Sequence, residues 1–485
     1  MRMFKPMAWL SAALSMPPVL CLALALACGP SGCTTYQSHE GDRIGELDPA
    51  PLADDQWPVR KMDGLAAKAA ATPHEIFTLV SDPTKPAIPV PTSIERAVDH
   101  PAATVVYSGV HGKGILRVFE YPGGEADPRA KALGTMRFYS RSTHADCPVD
   151  PHMVDAAERQ VRSWAKRLAK LDSGLKPVDP DVLRILSDGT AIRVIGPLSD
   201  VPTRGTIVYM SGLGSGKYEQ PLVDELGRRG WWIVKIATPR VWWYESQPWY
   251  VGSRADVPKV AEKLAGVLDD LVAEPAYAAE AALDYLAQHH PEVPQTPLVM
   301  MGCSAGALAS PAIVARMPDR FDAAVLVGGG ANLLEISQRS DLTDAGIRFA
   351  WPDDQPRGIW REELFRDYLK FSKLDPYYTA RFLRDKPVLM LQANLDFTVP
   401  AQNGWLLWQR LGCPDRYDHI GEHRTLFLTL GGQSNRIADW LDDQMAYRHT
   451  RTSIVQAPAS LPPGEIGGGV LSSPGLLNTR DSAIP

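Results

Sequence analysis

Between residues 182 and 446 the chain alternates two kinds of pattern. Short apolar runs are rich in β-branched and aromatic residues: "TIVYM" (206–210), "WWIVKIAT" (231–238), "PLVMMG" (297–302), "FDAAVLVGGG" (321–330) and "KPVLMLQ" (386–392). Runs of this length and makeup predict buried strands. Between them lie stretches whose apolar positions recur every three or four residues, which predicts helices. These are "KYEQPLVDELGRRG" (217–230, closed by Gly230), "SAGALASPAIVARM" (304–317), "NGWLLWQRLG" (403–412) and "TLFLTLGGQSNRIADWLDDQM" (425–445). Two further helices, 256–274 and 276–290, are expected to part at Pro275, which removes a backbone donor. "LRILSDGTAIRVIGP" (183–197) suggests two strands about an Asp-Gly turn, and "RYDHIG" (416–421) one more short strand. Strands buried on both faces and alternating with amphipathic helices predict an α/β fold: a mostly parallel, doubly wound sheet.

The flanks read differently. "IFTLV", "TVVYSGV" and "ILRVFEY" are short β-rich runs between 76 and 121, and 155–171 has helical period. Residues 61–180 are therefore expected to be an N-terminal extension, to which the sequence assigns no role. Residues 28–60 are polar and proline-dotted, as in a tether, and 450–485 is compositionally a disordered tail. "LLEISQRSDLTDAGIRFAWPDD" begins a stretch, 333–380, without the strand–helix rhythm, so an insertion is expected there.

The first 27 residues change the picture of where the protein works. A basic start, an apolar middle and a small, polar end form the layout of a secretory signal. The apolar run stops at "LALAC", so Cys28 is the expected lipidation site, with Cys33 the alternative. An uncleaved membrane anchor is the competing reading, disfavoured by Pro17 and Pro18. The expectation is an exported protein of the cell envelope or periplasm, lipid-anchored to a membrane. Composition adds exclusions. A net charge of −6 with no Lys/Arg stripe argues against a nucleic-acid partner. Six cysteines without a CxxC or a zinc-like His/Cys spacing support neither a disulfide framework nor a metal site.

Candidate chemistry centres on Gly302-Cys303-Ser304-Ala305-Gly306, a G-x-S-x-G placed where a predicted strand becomes a predicted helix. The strained turn of a nucleophile elbow needs that context, and it lifts a serine hydroxyl out of the sheet. A serine needs a base, and the base an orienting acid. Asp396 follows the strand 386–392, and His423 lies between the last short strand and the last helix. Asp418 and His419 are the rival acid and base. "MSGLGSGK" (210–217) resembles a phosphate loop, but Gly212 to Gly216 leaves three residues rather than four, and Tyr218 follows Lys217 where Ser or Thr is needed. "WWYESQPWY" (242–250) leaves the sheet at the same edge as the serine. Trp242, Trp243 and Tyr244 are candidates to line an acyl pocket or a sugar platform, or to fill an interface or the core.

On these residues, and over about 180–446, the chain resembles the α/β-hydrolase superfamily. "DPYYTARFLRDKPVLMLQANLDFTVP" (375–400) is similar to the acid-loop region of bacterial esterase-like and dienelactone-hydrolase-like members. The resemblance implies a catalytic domain over 181–449 with a cap inserted at 333–380. It also implies Ser304 as nucleophile, His423 as general base and then acid, and Asp396 as the group that orients the imidazole. "SGLG" (211–214) would then occupy the oxyanion loop, with the amides of Leu213 and Ala305 as donors. Ser211 stands where many relatives have His, and Glu422 where Gly is commoner. The implied activity is a cofactor-free serine hydrolase acting on a small-molecule ester or acyl substrate. An acyltransferase or peptidase on the same triad, or a non-catalytic lipoprotein scaffold, stays open, as does the oligomeric state.

Overall fold

The computed structural model describes residues 52–58, 104–120, 132–140, 190–198, 201–213, 216–237, 249–342, 347, 349–352 and 357–456. The proposed signal, Cys28, helix 155–171 and Trp242, Trp243 and Tyr244 lie outside them. Two compact units are present, Met1–Asp439 and Trp440–Pro485. In the second, the described residues are helical. Among the described residues no helix is long and apolar enough to cross a membrane.

The strands are β1 (Thr104–His111), β2 (Gly114–Glu120), β3 (Ala132–Ser140), β4 (Thr190–Ile195), β5 (Gly205–Met210), β6 (Trp231–Ile236), β7 (Trp249–Tyr250), β8 (Leu298–Cys303), β9 (Ala323–Val327), β10 (Phe349–Ala350), β11 (Val388–Ala393) and β12 (Asp415–His419). The helices are α1 (Gly216–Arg228), α2 (Val257–His289), α3 (Ala305–Arg316), α4 (Leu333–Arg339), α5 (Arg357–Phe371), α6 (Pro376–Thr379), α7 (Ala401–Arg410) and α8 (His423–Gln456). Ten strands form one sheet in the order β1-β2-β3-β4-β6-β5-β8-β9-β11-β12. From β6 to β12 every neighbouring pair is parallel, and the first four strands join antiparallel. Strands β5, β8, β9 and β11 are buried at every position, as the unbroken apolar runs predict.

Four expectations need correction. The boundary at 181 does not hold, because β1–β3 extend the same sheet and Leu116, Val118, Met136 and Phe138 sit in its core. Their short runs signal strands but not which sheet they join. Pro275 does not split a helix: α2 runs through it for 33 residues. The lost hydrogen bond is offset by burial of Leu268, Leu271, Val272, Tyr277 and Leu283, each worth about 1.5–3 kcal/mol. Buried Glu274 also accepts from Thr190 Oγ1 of β4 at 2.9 Å. The stretch 28–60 is not polar tether to its end. Trp57 is buried against Tyr277, Arg316 lies over both rings and pairs with Asp54, and the Tyr277 hydroxyl donates to the Pro58 carbonyl. Lastly, α8 runs on to Gln456, past the expected start of the tail.

The stretch 333–380 does interrupt the main sheet. It contributes α4, α5, α6 and β10, and β10 pairs in parallel with β7 in a separate two-stranded sheet. Asp269 of α2 holds it down by accepting from Ser372 Oγ (2.6 Å), Lys373 N (2.8 Å) and Leu374 N (3.0 Å). Burial pushes the Asp269 carboxyl up to about 7 despite these donors.

Candidate active site

Parallel pairing brings the carboxyl ends of β5, β8, β9, β11 and β12 to one edge of the sheet, where such folds place their ligands. Ser304 follows β8 directly, with φ 53° and ψ −120°, a conformation that L-residues rarely adopt. Its neighbours fix the turn. A Cβ on Gly302 would stand 2.1 Å from Ser310 Oγ, and one on Gly306 would stand 2.0 Å from the Met210 carbonyl oxygen. Only hydrogen fits at either position, so α3 can start hard against β5. The Ser304 amide donates to the Val327 carbonyl at 2.7 Å, which holds the turn to β9.

The Ser304 hydroxyl lies 2.9 Å from His423 Nε2. On the other side of the ring, Nδ1 lies 2.7 Å from Asp396 Oδ2. The second oxygen, Asp396 Oδ1, accepts from the amides of Thr398 (3.0 Å) and Val399 (2.7 Å). An ionised carboxylate only accepts, so this network puts the ring proton on Nδ1 and leaves Nε2 to take the serine proton. Asp396 and His423 are both buried, and Phe427, one turn along α8, packs on the imidazole with ring centroids 4.9 Å apart. A Cβ on Gly328 would come 3.0 Å from His423 Cε1, so the turn after β9 forms a fitted wall for the ring. The rivals are engaged elsewhere: His419 Nε2 meets Thr425 Oγ1 at 3.1 Å, and Asp418 pairs with Arg416.

Leu213 and Ala305 both line the cavity at Ser304. The Ala305 amide is the first of α3, a donor with no partner inside its own helix. Leu213 follows a loop anchored by two bonds: Ser211 N to the Ile236 carbonyl (3.2 Å) and Gly212 N to Glu219 Oε1 (2.9 Å). Glu219 is fully buried in the first turn of α1. Close by, the buried Tyr209 hydroxyl lies 3.2 Å from Cys303 Sγ. Burial, then Cys303 and Glu219, push the Tyr209 hydroxyl well above its ordinary range, and burial does the same to the Cys303 thiol. Neither group ionises near neutrality.

Glu219 was not among the residues singled out in the sequence, although a signal was there. Glu219, Leu222, Val223 and Leu226 follow the i, i+3, i+4, i+7 stripe, so a carboxylate sits on the buried face of α1. Asp375 carried less signal. It accepts from the amides of Asn332 (2.9 Å), Leu333 (2.7 Å) and Tyr377 (2.8 Å) and from the Tyr368 hydroxyl (2.9 Å). It thereby ties the loop after β9 to the insertion, and burial raises its pKa. The Tyr377 bond is the local N-cap of α6, but the donors at Asn332, Leu333 and Tyr368 lie in other elements, which no local pattern reveals. The remaining wall of the cavity comes from Leu308, Ile336, Ser337, Ser340, Leu342, Thr398 and Val399, enclosing about 430 Å³ with its open mouth included.

The prolyl oligopeptidase family model matches residues 278–422, which span the elbow and the acid loop. Among solved structures, the chain is similar to Est1E from Butyrivibrio proteoclasticus, at 14% identity and a TM-score of 0.36 over 53% of this chain and 95% of that one. The Pyrococcus furiosus esterase Pf2001 matches at 12% identity and a TM-score of 0.34, over 53% of this chain and 89% of that one. The Pyrococcus horikoshii acylaminoacyl peptidase matches at 12% identity and a TM-score of 0.36, over 72% of this chain and 51% of its own length. No curated protein matches the chain.

Proposed function

We propose that this member of the α/β-hydrolase superfamily, a serine hydrolase, cleaves carboxylic esters through an acyl-enzyme on Ser304. The observation that carries the reading is the unbroken chain Ser304–His423–Asp396, with bonds of 2.9 and 2.7 Å, at the floor of an open cavity.

Each group has a role set by its position. As Ser304 Oγ forms its bond to the acyl carbon, its proton passes to His423 Nε2, and the carbonyl electron pair moves onto oxygen. The resulting imidazolium is stabilised by Asp396, whose second oxygen is fixed by two amides and so cannot swing away. The amides of Leu213 and Ala305 receive the developing oxyanion. His423 then returns the proton to the departing alcohol, leaving an ester on Ser304. Water repeats the sequence in the second half: it attacks the acyl carbon, gives its proton to His423, and Ser304 leaves with that proton restored. Removal of one oxyanion donor costs about 10²–10³ in rate in comparable sites.

Peptides are the second reading, favoured by the prolyl oligopeptidase family match over 278–422. The two are separated by assaying purified protein and its Ser304→Ala variant on aryl esters and on aminoacyl or peptidyl anilides. Ester cleavage that the variant lacks supports the first reading. Anilide cleavage with negligible ester cleavage favours the second. Equal activity of the two proteins on every substrate overturns both and leaves the non-catalytic scaffold. Export and lipidation at Cys28 are part of the same proposal, supported by the layout of the first 33 residues. Growth with a labelled fatty acid, comparing wild type with Cys28→Ala and Cys33→Ala, tests them.

A further inference from the structure

The cavity at Ser304 is walled mainly by Leu213, Ala305, Leu308, Ile336, Leu342 and Val399, and no charged side chain is among the described residues that line it. Its apolar character does not stop at the mouth. Leu342 is 38% exposed while lining the cavity, and Leu395, Phe397 and Ile420 are 56%, 60% and 90% exposed. Single exposed apolar residues are ordinary on a protein surface and need no account. These four are neither scattered nor far from the chemistry.

Backbone bonds gather them. The Asp341 amide donates to the Phe397 carbonyl at 2.9 Å, which places Leu342 beside the acid loop. The Leu395 amide donates to the Gly421 carbonyl at 2.9 Å, which brings Ile420 to the same loop. Thr398 Oγ1 adds a third tie, donating to Asp341 Oδ1 at 2.7 Å. Leu395 and Phe397 bracket Asp396, whose own carboxylate is turned inward to His423. Of the four, Leu342 lines the cavity itself, and Leu395, Phe397 and Ile420 sit on or beside the acid loop that also carries Val399 of the cavity wall. Exposed apolar residues grouped beside a cavity are a feature of ligand-binding grooves.

We propose that the cavity and this rim form one track for the hydrocarbon chain of a medium- or long-chain acyl ester, with Leu342 at the mouth and Phe397 and Ile420 beyond it. The inference rests on the ester reading above and adds the substrate class to it. A methylene fully buried on such a track is worth roughly a fourfold gain in binding. On a rim open to solvent on one side, half that burial gives about twofold per methylene.

The test is a series of p-nitrophenyl esters from acetate to decanoate, each below its aggregation concentration, with kcat/KM plotted against chain length. The expected result is a rise of about twofold per methylene, roughly 60-fold between acetate and octanoate. Leu342→Ser and Phe397→Ser should flatten the slope, and Phe397→Leu should keep it. The same proteins are exposed to alkyl fluorophosphonates of increasing length. Labelling of Ser304 should accelerate with length in wild type and not in the two serine variants. A flat ester series alongside acetate hydrolysis that Ser304→Ala abolishes overturns the hydrocarbon track and leaves the ester reading intact. No cleavage of any ester, with labelling still faster for longer alkyl chains, overturns the ester reading while retaining the apolar track. A slope that persists undiminished in both serine variants removes the rim from the account.

Discussion

The carboxylate of Glu219 offers a demanding test of how the oxyanion loop is held. It is fully buried and accepts the Gly212 amide at 2.9 Å, one residue before the proposed donor Leu213. Replacing Glu219 by Ala leaves that buried amide without its acceptor, which costs about 1–3 kcal/mol of stability. The rate should suffer more than the fold. If the loop relaxes by even a fraction of an ångström, the Leu213 amide no longer meets the oxyanion, and a lost donor is worth about 10²–10³ in kcat. The substrate's neutral carbonyl makes weaker demands, so KM should change by less than about threefold. Glu219→Gln keeps an amide oxygen in nearly the same place to accept the Gly212 amide and should recover kcat to within about tenfold of wild type, because the bond it restores is worth about 0.5–1.5 kcal/mol. The assay is steady-state kinetics on a short aryl ester for the three proteins, with thermal denaturation run in parallel. A Glu219→Ala enzyme that keeps its kcat within threefold refutes the reasoning. So does a Gln variant as slow as the Ala variant while folding normally.

Other outcomes follow from the same geometry. Asp396→Asn should lower kcat by about 10⁴, since the amide can present N–H to His423 Nδ1 and favour the wrong tautomer; a stopped-flow ester assay with an unchanged Tm checks this. Gly328→Ala places a methyl 3.0 Å from His423 Cε1 at a φ of +62°, so kcat should fall by about tenfold or more, alongside a stability loss of about 1–2 kcal/mol read from denaturant unfolding. Asp269 has a folded pKa of about 7, above the unfolded carboxylate range near 4. The folded state therefore holds the extra proton between those values, and stability falls as pH rises through that window. Thermal denaturation should show wild type losing stability between pH 4 and 7, with Asp269→Asn less sensitive to pH over the same range; identical slopes contradict it.

Much of this fold was legible because fully buried parallel strands write themselves as unbroken apolar runs. "TIVYM", "PLVMMG" and "KPVLMLQ" are strands β5, β8 and β11. The elbow at Ser304 was legible for a local reason: both glycines lie within two residues of the serine, and each is required by a neighbour that a side chain would strike. Asp396 and His423 could be placed by chain order, and the structure brings both to Ser304. What the sequence hid depends on distance. Strands β1–β3 join the sheet through antiparallel partners that their own residues do not specify. Pro275 signals a break locally, but the packing on both sides of α2 overrides it. Asp269 and Asp375 look like surface acids until segments from elsewhere in the chain supply their donors. Trp57 likewise reads as part of a tether until Arg316 and Tyr277 receive it.

The central claim is that Ser304 is made reactive by the imidazole beside it. Intact-mass and peptide mass spectrometry after exposure to a fluorophosphonate tests this most directly. The account predicts one adduct per chain, on Ser304, formed in wild type and lost in His423→Ala. A wild-type protein that stays unmodified, or one labelled on another residue, contradicts it.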